Sequence, residues 1–250
     1  MADRPVVALF VTCLVDVMRP RIGFAAAKLL EEAGYDVVVP AQGCCGQPNY
    51  NGGDAEGTRA LARRVIATFL PYDHVVAPSG SCAATVKRHY PGLFEMGSDD
   101  RRRAEELAAK THELIGFLHD VAGMREVSGK CTGVAAYHDS CSGLRELGLK
   151  GQPRALLGAV DGLELRELPD AHICCGFGGT FAIKYPDVSN KIVSDKTASI
   201  AATGADMLVA GDLGCLLNME GKLHRQGRTV KAYHTAEVLA GMAGDDGAKP

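Results

Sequence analysis

Two adjacent cysteines precede a glycine twice in this chain, in "GCCGQPNYNGG" from Gly43 and in "ICCGFGGTF" from Ile173. With the doublets set in register, the other cysteines align too. Cys13 lies 31 residues before Cys44 and Cys141 lies 33 before Cys174; Cys82 follows Cys45 by 37 and Cys215 follows Cys175 by 40. Eight of nine cysteines therefore form two sets of four, Cys13, Cys44, Cys45, Cys82 and Cys141, Cys174, Cys175, Cys215, with Cys131 left over. Four thiols that meet at one point hold a metal or a cluster, or exchange disulfides. Cysteines packed only as small hydrophobes explain any single position, but not eight at repeat-equivalent places. A structural zinc ion is typically gripped by short C-x2-C pairs, whereas these thiols are scattered along each half of the chain. An iron–sulfur cluster is larger than an ion and accepts thiolates from separate loops, so it fits the spacing best. Gly46, Gly176, Gly178 and Gly179 suit such a centre, because glycine lets backbone N–H groups approach bulky anionic sulfur.

The elements that must position these thiols repeat as well. "PVVALFVTC" reads as a strand, and "RIGFAAAKLLEEAG" places Ile22, Ala26, Leu29, Leu30 and Ala33 on one helical face with Gly34 as its stop. "YDVVVP" is a second strand, "DAEGTRALARRVIATFL" a second helix on the spacing of Leu61, Val65, Ile66 and Phe69, and "DHVVAPSGSC" a strand running to Cys82. The second half offers "GVAAYHDSC", "PRALLGAV", "LELREL", "VSNKIVSDKTASIAATG" and "ADMLVAGDLGC" in the same order. Even "THELIGFL" after the first unit has a partner in "YHTAEVLA" after the second. Alternating strands and helices predict an α/β fold with parallel sheets, here a tandem duplication of a small Rossmann-like unit about a pseudo-twofold axis. The repeats are expected over 1–128 and 129–250, joined near "REVSGKCTG". In such sheets ligands bind beyond the carboxyl ends of the strands, where each set of thiols would gather. Cys131 falls at the amino end of a strand, away from them.

Composition narrows the function. A net charge of -3 carries no electrostatic footprint for nucleic acid. No run reaches the roughly 20 apolar residues of a membrane span. "MADRPVVALFVTCLV" imitates a secretory signal, but Asp16 follows instead of a small-residue cleavage site, so the run reads as the first strand of a cytoplasmic protein. There is no P-loop and no nucleophile elbow, and "GFGGTF" fails as a dinucleotide fingerprint because Phe181 stands at its last glycine position; no flavin or NAD is expected on this chain.

The paired Cys, Cys-Cys-Gly, Cys pattern resembles the CCG cysteine-rich domain family, which includes the iron–sulfur subunit of glycolate oxidase and the cysteine-rich subunit of heterodisulfide reductase. "LFVTCLVD", "CCGQPNYNGG", "APSGSCAA", "YHDSCSGLRELG", "CCGFGGTFAIK" and "DLGCLLNMEG" are most similar to its lactate-utilisation branch. The resemblance covers nearly the whole chain. It implies an iron–sulfur electron-transfer subunit of a cytoplasmic complex that oxidises L-lactate or a related 2-hydroxy acid, with partner subunits that include a ferredoxin-type iron–sulfur protein. The chain departs from the family pattern twice. In heterodisulfide reductase the cysteine-rich subunit closes each motif with C-x2-C and holds a noncubane cluster; Thr85 and Asn218 stand at those places here. Four thiols per site favour two 4Fe–4S cubanes. Ser142 replaces a histidine common after the fifth cysteine.

Other candidates are His138 and Asp139, just before Cys141, and Arg145, one helical turn beyond it, which could orient an anionic substrate or move protons. A capped helix start with a satisfied histidine is the plainer reading. Lys184 reads as a solvated side chain. His112 and His119, seven apart, are expected on one helical face without an HExxH motif. A thiol–disulfide enzyme or sensor, and a zinc-stabilised scaffold subunit, stand as alternatives to the iron–sulfur reading; iron content separates them.

Overall fold

In the computed structural model, which describes residues 4–244, the chain builds two four-stranded parallel sheets from two runs of like elements. The first run is β1 (Val6–Leu9), α1 (Cys13–Met18), α2 (Arg21–Glu32), β2 (Asp36–Val38), α3 (Gln47–Asn51), α4 (Ala55–Phe69), β3 (His74–Ala77), α5 (Gly80–Ala84), α6 (Asp99–Lys110), β4 (Thr111–Glu113) and α7 (Leu114–Gly116). The second is β5 (Lys130–His138), α8 (Gly151–Gly158), β6 (Asp161–Glu167), α9 (Phe181–Lys184), α10 (Pro186–Ala202), β7 (Met207–Ala210), α11 (Leu213–Arg225), β8 (Lys231–His234) and α12 (Thr235–Leu239). The strand orders are β2-β1-β3-β4 and β6-β5-β7-β8, so the topology is duplicated. Registers match as well: Ala77 pairs with Glu113 and Ala210 with His234. The polar tail from Asp245 on lies outside the described residues. No helix among the described residues is long and apolar enough to cross a membrane.

Alternation along β1 shows how a short strand serves two layers. Val7 and Leu9 point into a core shared with the second half, while Ala8 and Phe10 point into a core of first-half residues around Val65, Ile66 and Phe69. Helix α2 buries Ile22, Ala25, Ala26, Leu29 and Leu30 and packs against α12, the last helix of the second run. Lys28 donates to the carbonyl of Ala240 (2.7 Å) at the rim of that seam, and Arg19, just before α2, bridges to Glu220 in α11 (2.7 Å), a second polar tie between the halves.

Two expectations change. The pattern "DHVVAPSGSC" suggests a strand as far as Cys82, but β3 ends at Ala77; Pro78 has no N–H for the ladder, and Ser79 caps a helical turn that carries Cys82. His112 and His119 do not share a helix. His112 lies in β4, packed with His74 and Phe117 in an aromatic cluster, while His119 lies in a π-turn over Phe117–Val121 and pairs with Asp120 at 2.6 Å.

Candidate metal centre

Each set of thiols is assembled by three loops at the carboxyl end of one sheet. Cys13 opens α1 directly after Thr12, the one non-glycine residue with positive φ (75°) among those described. Such a backbone costs on the order of 1–3 kcal/mol and persists where its surroundings impose it. Cys44 and Cys45 lie in the loop after β2, ended by Gly46 at φ 82°. Cys82 sits in α5 behind the Ser79 cap, whose hydroxyl accepts from the Cys82 N–H (3.2 Å). The second set repeats the doublet turn and the cap, but not the positive φ before its first cysteine. Gly176 has φ 84°, and Cys215 lies in α11 behind the Asp212 cap.

The sulfurs converge. Cys45 Sγ is 3.2 Å from Cys82 Sγ, and Cys44 Sγ accepts the Gly46 N–H (3.3 Å) just as Cys174 Sγ accepts that of Gly176 (3.3 Å). Hydrogen bonds from Cys13 and Cys45 lower the Cys44 thiol to about 2, and those from Cys141 and Cys175 lower Cys174 likewise to about 2. One thiolate is thus preferred at the centre of each set, while their neighbours Cys45 and Cys175 are pushed up by those same contacts and by burial. All nine cysteines are free thiols. Cys131 stands apart at the amino end of β5, its Sγ 3.7 Å from Met207 Sδ, and burial raises it.

The two sets open into adjoining cavities of about 230 and 90 Å³. Gln47, Ser81, Phe177, Gly179 and Asp212 line both, so each half contributes wall to the other's site. Asp212 joins them. Its carboxylate caps α11 through Gly214 N–H (3.2 Å) and accepts from the Ser79 hydroxyl (3.1 Å) and the Ser81 N–H (2.9 Å) of the first half. Close approach depends on glycine: a Cβ on Gly214 would sit 2.5 Å from the Phe177 ring, and one on Gly80 would sit 2.8 Å from Ser140 Oγ. Gly178 and Gly179, at φ 54° and 64°, turn the second doublet loop over the first set's cavity.

The remaining candidates separate. Asp139 is buried and held by a two-pronged bridge from Arg154 (2.9 and 2.8 Å), which also holds Glu167. Arg145 donates to the His172 carbonyl (2.9 Å), and its charge only partly offsets the Cys174 contact and burial that push the Cys141 thiol up. Lys184 is exposed at the end of α9. His138 is fully buried, both ring nitrogens lack a hydrogen-bond partner, and it lies within 4.8 Å of the sulfurs of Cys175 and Cys215. Burial, and then the Lys196 charge, lower it to about 4. Thr85 donates its hydroxyl to the Ser81 carbonyl (2.8 Å), and the Asn218 amide donates to the Cys175 carbonyl (2.9 Å); both serve the loops that carry thiols. Sequence reasoning does not single out Lys196 or Asp212. A cap three residues before the last cysteine, in "SGSC" and "DLGC", is the signal that points to Asp212; a lysine in a polar helix gives none.

Soft sulfur donors in two sets of four, with a backbone N–H already on sulfur in each, fit an iron–sulfur group, and the second set adds the orphaned buried imidazole of His138. Comparison with known proteins finds a cysteine-rich domain in both halves. The model of the CCG cysteine-rich domain matches residues 7–87 and again 135–220. Lactate utilization protein A of Macrococcus caseolyticus is 49% identical over 93% of this chain and 95% of its own length. Lactate utilization protein A of an Exiguobacterium species is 48% identical over 94% and 97%. Among solved structures, a hypothetical protein from Helicobacter pylori superposes with a TM-score of 0.66 at 11% identity, covering 98% of this chain and 49% of that one; this likeness concerns the fold alone.

Proposed function

The chain belongs to the CCG cysteine-rich domain family, and on that premise we propose that it is an iron–sulfur electron-transfer subunit of a complex that oxidises L-lactate or a related 2-hydroxy acid in the cytoplasm. The observation that carries this reading is the convergence of eight cysteines into two sets of four, one per repeat, with residues 1–128 and 129–250 as the repeats. Cys13, Cys44, Cys45 and Cys82 would hold one cluster and Cys141, Cys174, Cys175 and Cys215 the other. Thr85 and Asn218 are engaged in loop hydrogen bonds, which supports four thiol donors per site and hence 4Fe–4S clusters. When bound, each cluster supplies storage for one electron. Two such centres match the electron pair released when a 2-hydroxy acid becomes a 2-oxo acid.

The chain's own residues prepare the sites. Hydrogen bonds to Cys44 and Cys174 favour thiolate, the metal-binding form, before any metal arrives. The Gly46 and Gly176 N–H groups stabilise added negative charge on sulfur, and Phe177 forms part of the wall shared by the two cavities. The rim of the first cavity exposes Leu14 and Ile183, with Val17 and Met18 on the adjoining helix, an apolar surface suited to partner subunits such as a ferredoxin-type protein. The 3.2 Å approach of Cys45 to Cys82 favours one other reading, a thiol–disulfide enzyme. Anaerobic purification with iron and sulfide assay and paramagnetic resonance decides. About eight irons per chain are expected from two 4Fe–4S clusters; a metal-free or zinc-only protein overturns the reading. Lactate turnover is expected only after the partner subunits are added, and robust turnover by the isolated chain would place the substrate chemistry here.

A further inference from the structure

The thiols and glycine loops of the two halves correspond, but the layer behind them does not. Three residues before the first cysteine of each set stand Phe10 and His138. Phe10 packs against Phe69 in the apolar core of the first half, ring centroids 5.0 Å apart. His138 ends β5 with no exposed surface and no partner for either nitrogen, beside the sulfurs of Cys175 and Cys215. A second substitution lies next to the first. Gly46 packs on Thr58 and Leu61 of α4 as Gly176 packs on Ser189 and Ile192 of α10; four residues after Leu61 and Ile192 come Val65 and Lys196. Val65 is core, whereas Lys196 is buried with its ammonium on Asp170 (3.3 Å), close enough for its charge to act on both His138 and Cys215.

An orphaned donor in a dry interior costs about 1–3 kcal/mol, and native proteins rarely tolerate two on one side chain. Water has no access to His138, and nothing else among the described residues satisfies it. Its ring faces the second set of sulfurs. We propose that His138 is a positioning residue for the second site, donating a ring N–H to sulfur there, and that with the Lys196 ammonium it makes this site the more easily reduced of the two. The inference rests on the iron–sulfur reading above. Reduction adds negative charge to a thiolate-rich centre, which N–H donors and nearby cations stabilise; Phe10 and Val65 give the first site neither. The two sites are therefore unequal in driving force although their ligands are equivalent.

The test is an anaerobic redox titration of the iron-loaded chain followed by paramagnetic resonance. Signals are assigned with Cys45→Ser and Cys175→Ser, each of which removes one site. Two midpoints are expected, the second site's being higher. His138→Phe, which installs the first-half residue, should lower the second midpoint toward the first at unchanged iron content, and His138→Gln, which restores an N–H, should recover most of the shift. If His138→Phe loses the second cluster, Phe10→His decides in its place: a raised first midpoint supports the proposal and an unchanged one overturns it. A second midpoint that stays put in iron-replete His138→Phe overturns the proposal and leaves the iron–sulfur reading standing. So does a strongly coupled nitrogen in pulsed resonance that vanishes in His138→Phe, because the ring would then ligate iron. A wild-type chain without iron removes the premise itself.

Discussion

The cap before the last thiol is Ser79 in the first half and Asp212 in the second, and the difference between them shows what a duplicated site can vary. Ser79 caps its own turn through the Cys82 N–H. Asp212 also caps its own helix, but the added carboxylate oxygen reaches across to Ser79 and Ser81, so one half's cap orders the other half's loop. Downstream, the helix after the fourth strand is capped by Glu113 in the first half and His234 in the second, both buried. Backbone features such as the positive φ of Gly46 and Gly176 are kept, because they set where sulfur lies. Side chains one layer out diverge freely, and electrostatics diverge with them.

The largest expected effect tests the equivalence of the halves. Cys45→Ser and Cys175→Ser should each lose about half the iron of a protein with two clusters, while Cys131→Ser loses none. Similar loss from all three would dissolve the pairing. The two buried caps should then split the pH dependence of stability. Burial raises Glu113 to about 8 from 4.5, so the folded state holds a proton that the unfolded chain releases, and stability declines as pH rises between these values. Burial lowers His234 to about 4 from 6.5, so its contribution is lost as pH falls from 6.5 toward 4. At 1.36 kcal/mol per pH unit the windows are worth about 5 kcal/mol for Glu113 and about 3 kcal/mol for His234. In urea titrations across pH, Glu113→Gln should remove the decline above pH 6.5, where of the two only its window lies, and His234→Asn should remove part of the loss below pH 6.5, which the buried His138 shares; a swap of the two assignments would refute the account.

A smaller effect separates the thiol-site caps. Asp212→Ala leaves three donors unpaired and should cost about 2–3 kcal/mol, against about 1 for Ser79→Ala, both read by urea denaturation. Equal costs would mean that the bridge between halves contributes nothing. The finest distinction is between the two glycine turns. Alanine at either position pays about 1–2 kcal/mol for a left-handed backbone. At Gly176 its Cβ would also lie 2.9 Å from the Ser189 carbonyl, whereas at Gly46 it meets Leu61 Cβ at 3.3 Å. Gly176→Ala should therefore be the worse variant by about 1 kcal/mol, and the reverse order would count against equivalent loops.

The duplication was legible because cysteine and glycine carry it, and both report backbone placement directly. Spacing alone aligned eight thiols, and the parallel topology followed from alternating apolar runs. Reading failed where one residue type serves several ends. The apolar run into "PSGSC" hid a strand end that Pro78 and the Ser79 cap decide, and His112 and His119 mimicked a helical pair across a strand-to-helix boundary. Asp139, beside a cysteine, resembled a proton carrier, yet its carboxylate meets Arg154 from fifteen residues away. Lys196 was invisible because its burial depends on α10 packing over the doublet loop, a contact that no local pattern encodes.

The seam between α2 and α12 has a consequence for how the chain is made. Helix α2 leaves the ribosome about 200 residues before the helix that covers it, roughly 10–40 s at ordinary translation rates. Throughout that interval Ile22, Leu29 and Leu30 have first-half neighbours such as Val7, Leu9 and Val15 but lack the cover that a segment encoded near the other end of the message supplies. A chain ended before Thr235 would keep that apolar seam uncovered.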